Sequence, residues 1–262
     1  MSAPALPIAA ALFATLAWGA MFPVTSGVLR TLDPFQASAE RYVVAALVLV
    51  ALLAVREGFA ACSFGRRGRE LALLGLAGFT GFNVFLLFGV RAAGPEHGAL
   101  LMATMPALTL VVQAIRTRVA PPAMRIPFVA TAFIGVALVV TAGHGVRAGS
   151  SLGDLALLAA ALCWVTYTIG AGALRGWSPL RFTTMSAVAG AIGLVVVAGA
   201  AVVLGVSHVP SAADYSATAP GMAYLTLIGA VFSIVAWTTA VRGLGAQRAA
   251  LFTNLVPITT FA

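Results

Sequence analysis

Long apolar runs, separated by short stretches rich in arginine, glycine, proline and serine, divide the chain. Crossing about 30 Å of hydrocarbon takes about 20 helical residues. Runs near that length fall at 8–29, 35–55, 71–91, 98–117, 126–143, 153–174, 181–206 and 221–241, and a ninth begins near Gln247. The pattern predicts an all-α polytopic membrane protein. Between the last full runs, 207–220 holds neither lysine nor arginine and reads as an outward-facing loop.

Two stretches show that the runs are copies of one another. Residues 89–109, GVRAAGPEHGALLMATMPALT, and 240–260, AVRGLGAQRAALFTNLVPITT, align at an offset of 151. They are identical at Val90/Val241, Arg91/Arg242, Gly94/Gly245, Ala99/Ala250, Leu100/Leu251, Pro106/Pro257 and Thr109/Thr260. In each copy an apolar run ends at an arginine, turns at a glycine and restarts as a second run with a proline inside it. A duplication this long in so apolar a chain points to the two halves of a transporter. The halves are read as 1–143 (spans one to five) and 153–262 (spans six to nine), joined by a Gly-rich linker at 144–152. Two equal five-helix halves would need ten transmembrane helices, so the end of span nine and a tenth span, about 30 residues, are expected to be missing. An odd number of spans per half makes the repeat an inverted one.

Composition adds direction. The chain is 61 % hydrophobic and 8 % charged, with mean hydropathy +1.04, and a soluble domain would carry nearer a quarter charged residues. A net charge of +8 in a soluble protein would suggest nucleic acid. Here the basic residues are all arginines placed between apolar runs, which fits topology and not a polyanion partner. Eleven arginines lie on the side of the N-terminus: Arg56, Arg66, Arg67, Arg69, Arg116, Arg118, Arg125, Arg175, Arg181, Arg242 and Arg248. Arg30, Arg91 and Arg147 lie on the other side, which predicts a cytoplasmic N-terminus. The first run lacks a basic n-region and reads as an uncleaved span. Cys62 and Cys163 lie far apart, and no disulfide, metal site or cofactor is expected.

The chain resembles the EamA branch of the drug/metabolite transporter superfamily. The resemblance is carried by LAWGAMFPVTSGVLR in span one, by ERYVVAALVLVALL in span two with Arg41 where the family usually has an arginine, and by AVRGLGAQRAALFTNLVPITTFA in the second half. It implies a ten-helix carrier of small metabolites, often an exporter of amino acids, with both termini in the cytoplasm of a bacterial inner membrane, working by alternating access. The partners are then a small-molecule substrate and the lipid bilayer, and the oligomeric state, a homodimer included, is left open.

Several residues could carry that function. Pro106 and Pro257 occupy matching positions and would each free a backbone carbonyl, tolerable in lipid only beside protein or cavity water; paired interruptions point to a binding site. Trp18 and Trp164 lie near mid-span, away from the interfaces tryptophan prefers. Thr15, Trp18, Phe22, Thr25 and Ser26 form one helical stripe, and Trp164, Tyr167, Thr168 and Ala171 another. These stripes are candidate substrate-binding surfaces, with plain interhelical packing as the rival reading. Asn83, Asn254 and Gln113 need hydrogen-bond partners inside the bilayer, either a neighbouring helix or a substrate group, which makes Asn83 and Asn254 candidate substrate-binding residues, and Gly75, Gly78 and Gly81 suit close helix packing. Glu40 and Arg41 are the charged residues well inside a span. Arg41 would serve as counter-charge to a carboxylate or snorkel outward, and Glu40 is placed for proton coupling. Arg91 and Arg242 end their helices where a cation suits the dipole. An enzyme would need a buried acid pair, a nucleophile with its base or a metal cluster, and Glu40 alone does not supply one. The rival to a transporter is a structural or regulatory membrane subunit.

Overall fold

The computed structural model describes residues 5–93, 95–120, 151–174 and 176–261, with isolated positions between 123 and 134. The expected fifth span and nearly all of the linker lie outside the described residues. The described residues are helical, with no strand among them.

Helices α1 (Ala5–Val28) and α2 (Pro34–Glu57) are joined by a short turn. The next span is one rod in three parts: α3 (Gly68–Gly75), a π-helical stretch (Leu76–Gly81) and α4 (Phe82–Ala93). Helix α5 (Pro95–Thr117) follows. The second half opens with α6 (Ser151–Ala173) and α7 (Pro179–Val203). Its third rod repeats the tripartite build: α8 (Ala212–Tyr224), a π-helical stretch (Leu225–Phe232) and α9 (Ser233–Leu244). Then come α10 (Ala246–Leu251), a 3₁₀ turn (Phe252–Asn254) and α11 (Leu255–Phe261). Among the described residues, six stretches are long and apolar enough to cross a bilayer: α1, α2, 59–93, α6, α7 and 212–244.

Local chemistry explains the starts. Helices α2 and α7 use one device: Asp33 and Ser178 cap the first turn and a proline takes the first helical position. Span eight begins at Ala212, nine residues before the apolar run does. Ser211 and Asp214 form a capping box there, and Pro220 is absorbed into the helix. The expected 207–220 loop therefore shrinks to the few residues before Ser211.

The packing of the two halves exchanges in pairs. Helix α2 lies along its counterpart α7. Helix α4 packs on α6, and its counterpart α9 packs on α1. Helix α5 also packs on α6, and α11 on α1. The core is thus built between the halves. The two π stretches also correspond, since an offset of 151 sets Gly78 on Gly229 and Leu76 on Leu227. A π turn leaves a carbonyl without its usual partner, and side chains supply one. Asn83 Nδ2 donates to Phe79 O at 2.6 Å, Ser233 Oγ to Ile228 O at 2.5 Å, and Trp18 Nε1 to Gly229 O at 3.1 Å.

The matching prolines have unequal effects. Around Pro257 the helix is broken by the 3₁₀ turn centred on Thr253, the residue whose carbonyl a proline four positions on cannot pair with. Pro106 sits inside an unbroken α5.

Candidate functional site

The aromatic side chains of both halves meet in one seam. Trp18 lies 5.4 Å from Trp164, edge to face, and 5.3 Å from Trp237. Trp164 continues to Tyr167 at 5.5 Å, Tyr167 to Phe79 at 5.1 Å, and Phe79 to Tyr42 at 5.2 Å. Phe82 joins at Trp164 and Phe182 at Tyr167. Six spans thereby touch through rings, each pair worth about 0.5–1.5 kcal/mol beyond its buried area. The Trp237 indole donates to Thr168 Oγ1 at 3.2 Å.

The structure brings Trp18, Trp164 and Tyr167 together, in a packed seam of rings. Trp164, Tyr167, Thr168 and Ala171 are all buried, so the span-six stripe faces protein. On α1 the stripe turns outward: Thr15 is buried, while Ser26 is exposed. The Phe22 side chain lies outside what is described. The seam is closed, with Tyr167 fully buried and Trp237 only 1 % exposed. Trp237, Phe79, Tyr42 and Phe182 were not singled out from the sequence. Trp237 lies only four residues from the end of the 221–241 run, so the mid-span criterion that found Trp18 and Trp164 passes it over.

At one end of the seam sit two opposite charges. Arg41 turns inward, where its Nη2 donates to Asn83 Oδ1 at 3.0 Å and its guanidinium lies 4.6 Å from the Tyr42 ring centre. Its Nε is buried without a partner, and no described carboxylate lies within ion-pair distance. Arg41 is thereby held between α4 and the Tyr42 ring. Glu40, about 100° round the helix, accepts from Tyr215 OH at 2.7 Å and faces α8 instead. It lines a groove of about 890 Å³ between α2, α7 and α8, whose floor reaches Thr226 and Leu227 in the π stretch. This large cavity lies away from the seam, and of the residues singled out from the sequence only Glu40 lines it. Neither Pro106 nor Pro257 does, although both are buried.

Asn254 Oδ1 and Gln113 Oε1 are buried with no hydrogen-bond partner among the described residues. Gly75, Gly78 and Gly81 are close contacts: a Cβ there would fall 2.1 Å from Ser186 O, 2.5 Å from Tyr167 Cγ and 3.0 Å from Cys163 Sγ. Arg242 caps a neighbour and not its own helix. Its guanidinium donates to Ala171 O at 3.2 Å and Leu174 O at 3.1 Å, at the end of α6, and to Trp177 O in the turn that follows. Its counterpart Arg91 is exposed. His97 Nδ1 lies 2.6 Å from Asp154 Oδ1, tying α5 to α6. On the side of Glu57, Ser178 Oγ donates to that carboxylate at 2.5 Å, and Arg181 reaches Ser63 O at 3.2 Å, so the α2 end and the α7 start are laced together.

Apolar rods long enough to cross a bilayer, packed around a seam of rings, mark a multi-pass membrane protein. The chain belongs to the EamA-like transporter family, whose model matches residues 5–141 and 151–262. It is 31 % identical over 257 residues to the uncharacterized transporter YrdR of Bacillus subtilis (strain 168), covering 95 % of this chain and 80 % of that one. YyaM of the same organism, also an uncharacterized transporter, is 29 % identical, with 92 % and 79 % covered. An uncharacterized transporter of Archaeoglobus fulgidus is 24 % identical, with 94 % and 83 % covered. A protein crystal structure of 16 % identity superposes with a TM-score of 0.76 over 97 % of this chain and 85 % of that one, which shows a shared fold. The resemblance read from the three motifs is thereby confirmed as family membership.

Proposed function

We propose that this membrane transporter is a secondary carrier that exports small carboxylate-bearing metabolites, amino acids among them, across a bacterial inner membrane by alternating access. Its N-terminus lies in the cytoplasm, and its ten-helix frame is an inverted repeat of five-helix halves, 1–143 and 153–262 about the 144–152 linker. The observation that carries the substrate class is Arg41. A cation inside a span costs about 2.5–3.5 kcal/mol on insertion scales, yet this one is held by a neutral amide and a ring face, with its Nε unpartnered. A solute carboxylate would complete it. Asn83 orients the guanidinium, and the Tyr42–Phe79–Tyr167–Trp164–Trp18 ladder leads from it to the contact between the halves. The pairwise exchange of helix neighbours supports a two-state motion of one half against the other. Asn254, in the broken span nine, offers a buried acceptor for a solute amine.

The test is efflux of labelled amino acids from liposomes holding the protein, with and without a pH gradient. Flux of one solute class is expected, falling at least tenfold in Arg41→Gln and in Trp164→Ala. Loss of flux for solutes with and without a carboxylate alike in Arg41→Gln would remove the substrate assignment. No flux of any solute from folded protein would favour a non-transporting subunit. Coupling is read in the same experiment: Glu40→Gln that keeps full dependence on the gradient excludes Glu40 as the proton carrier.

A further inference from the structure

The groove beside Glu40 exists because the two halves are not packed alike. In the first half, Gly75 brings the third rod against α7, so close that a Cβ would lie 2.1 Å from Ser186 O. The residue 151 positions on is Thr226, which carries a side chain and lies in the groove floor. The second rod stays near α2 at its π stretch, but above it α8 stands off, bridged to α2 through the Tyr215–Glu40 hydrogen bond. The space left is lined by Val43, Val44, Val195, Val202 and Met222, with Glu40 the charged group among its walls. Gly199 on α7 faces it with no atom within 4 Å of where a Cβ would be.

Such a wall fits one kind of occupant. A carboxylate against apolar surface gains most from a cation that brings its own apolar body, because the charges pair away from bulk water while the body covers the valines. Among the described residues no cation of the chain lies within ion-pair distance of Glu40. Its partner, the Tyr215 hydroxyl, leaves the other carboxylate oxygen available. We propose that this groove is a binding site for amphiphilic amines, the ammonium on Glu40 and the hydrocarbon against α7 and α8. It is separate from the Arg41 site: the two residues diverge from α2, one towards Tyr215 and the other towards Asn83.

The experiment is equilibrium binding of labelled 4-phenylbutylamine at neutral pH to the whole chain in lipid nanodiscs, with empty nanodiscs subtracted. Flux is not measured, so the outcome is independent of the export reading. Saturable binding of one amine per chain is expected, at least tenfold weaker in Glu40→Gln, and not displaced by the uncharged 4-phenylbutanol. Gly199→Phe, which fills the groove without touching Glu40, should weaken binding as strongly. The proposal is overturned by an absence of saturable binding, by equal displacement with the alcohol, which would mark a lipid-filled crevice, or by wild-type binding in both folded variants.

Discussion

Gly75 and Gly199 are the same residue type in the same bilayer, yet they should respond oppositely to one methyl group. At Gly75 the obstacle is the backbone oxygen of Ser186, which cannot rotate away. Gly75→Ala must push α3 off α7 at a cost of about 1–3 kcal/mol, visible as a lower unfolding midpoint in detergent. Gly199→Ala meets open space and should stay within about 0.5 kcal/mol of wild type. Arg242 gives a second contrast. Its fork reaches three carbonyls at the end of α6 and in the turn that follows, which a lysine ammonium cannot match in geometry. Arg242→Lys should destabilise by about 1–3 kcal/mol, while Arg91→Lys, at an exposed site, should not be felt in the same melt. Both arginines look alike in the aligned repeat. Their difference comes from what the other half of the chain places beside them.

The π stretches at Leu76–Gly81 and Leu225–Phe232 are the feature of the helices least visible in the sequence. A π turn is in effect an inserted residue, and its carbonyl defects are relieved here by Asn83, Ser233 and Trp18 from one or more turns away. Deleting Ala77 should let the rod close into α-helix while α4 keeps its face towards α6. Deleting Leu86, inside α4, should rotate everything after it by about 100° and break that packing. Chain yield and melting of the two deletions, side by side, check this; equal damage would argue against the inserted-residue view. The apolar runs placed the starts of spans two and seven within two residues, and the structure shows the local signals just ahead of them, Asp33–Pro34 and Ser178–Pro179. Span eight was misjudged because the polar residues of its first turns lowered the hydropathy there, while the Ser211–Asp214 box was already a start signal.

At the scale of the molecule, the arginine bias predicts that the 58–67 loop faces the cytoplasm and that Val209 faces out. In a variant lacking Cys62 and Cys163, a cysteine at Gly65 should resist a membrane-impermeant thiol reagent in intact cells, and one at Val209 should react. The reverse pattern would invert the topology. Apolar periodicity, the duplicated motif and the spacing of arginines were enough to determine a polytopic helical chain of two related halves, because insertion into hydrocarbon and charge bias act on short segments read one at a time. Family membership was legible for the same reason, in motifs that are each one continuous stretch of sequence. Which residues meet was decided only by tertiary structure. The ladder from Tyr42 to Trp18 closes across spans far apart in sequence, Glu40 and Arg41 part to opposite neighbours, and the groove opens where Thr226 stands as the counterpart of Gly75. Those outcomes depend on how closely two helices can approach, a property of pairs of surfaces that no single span contains.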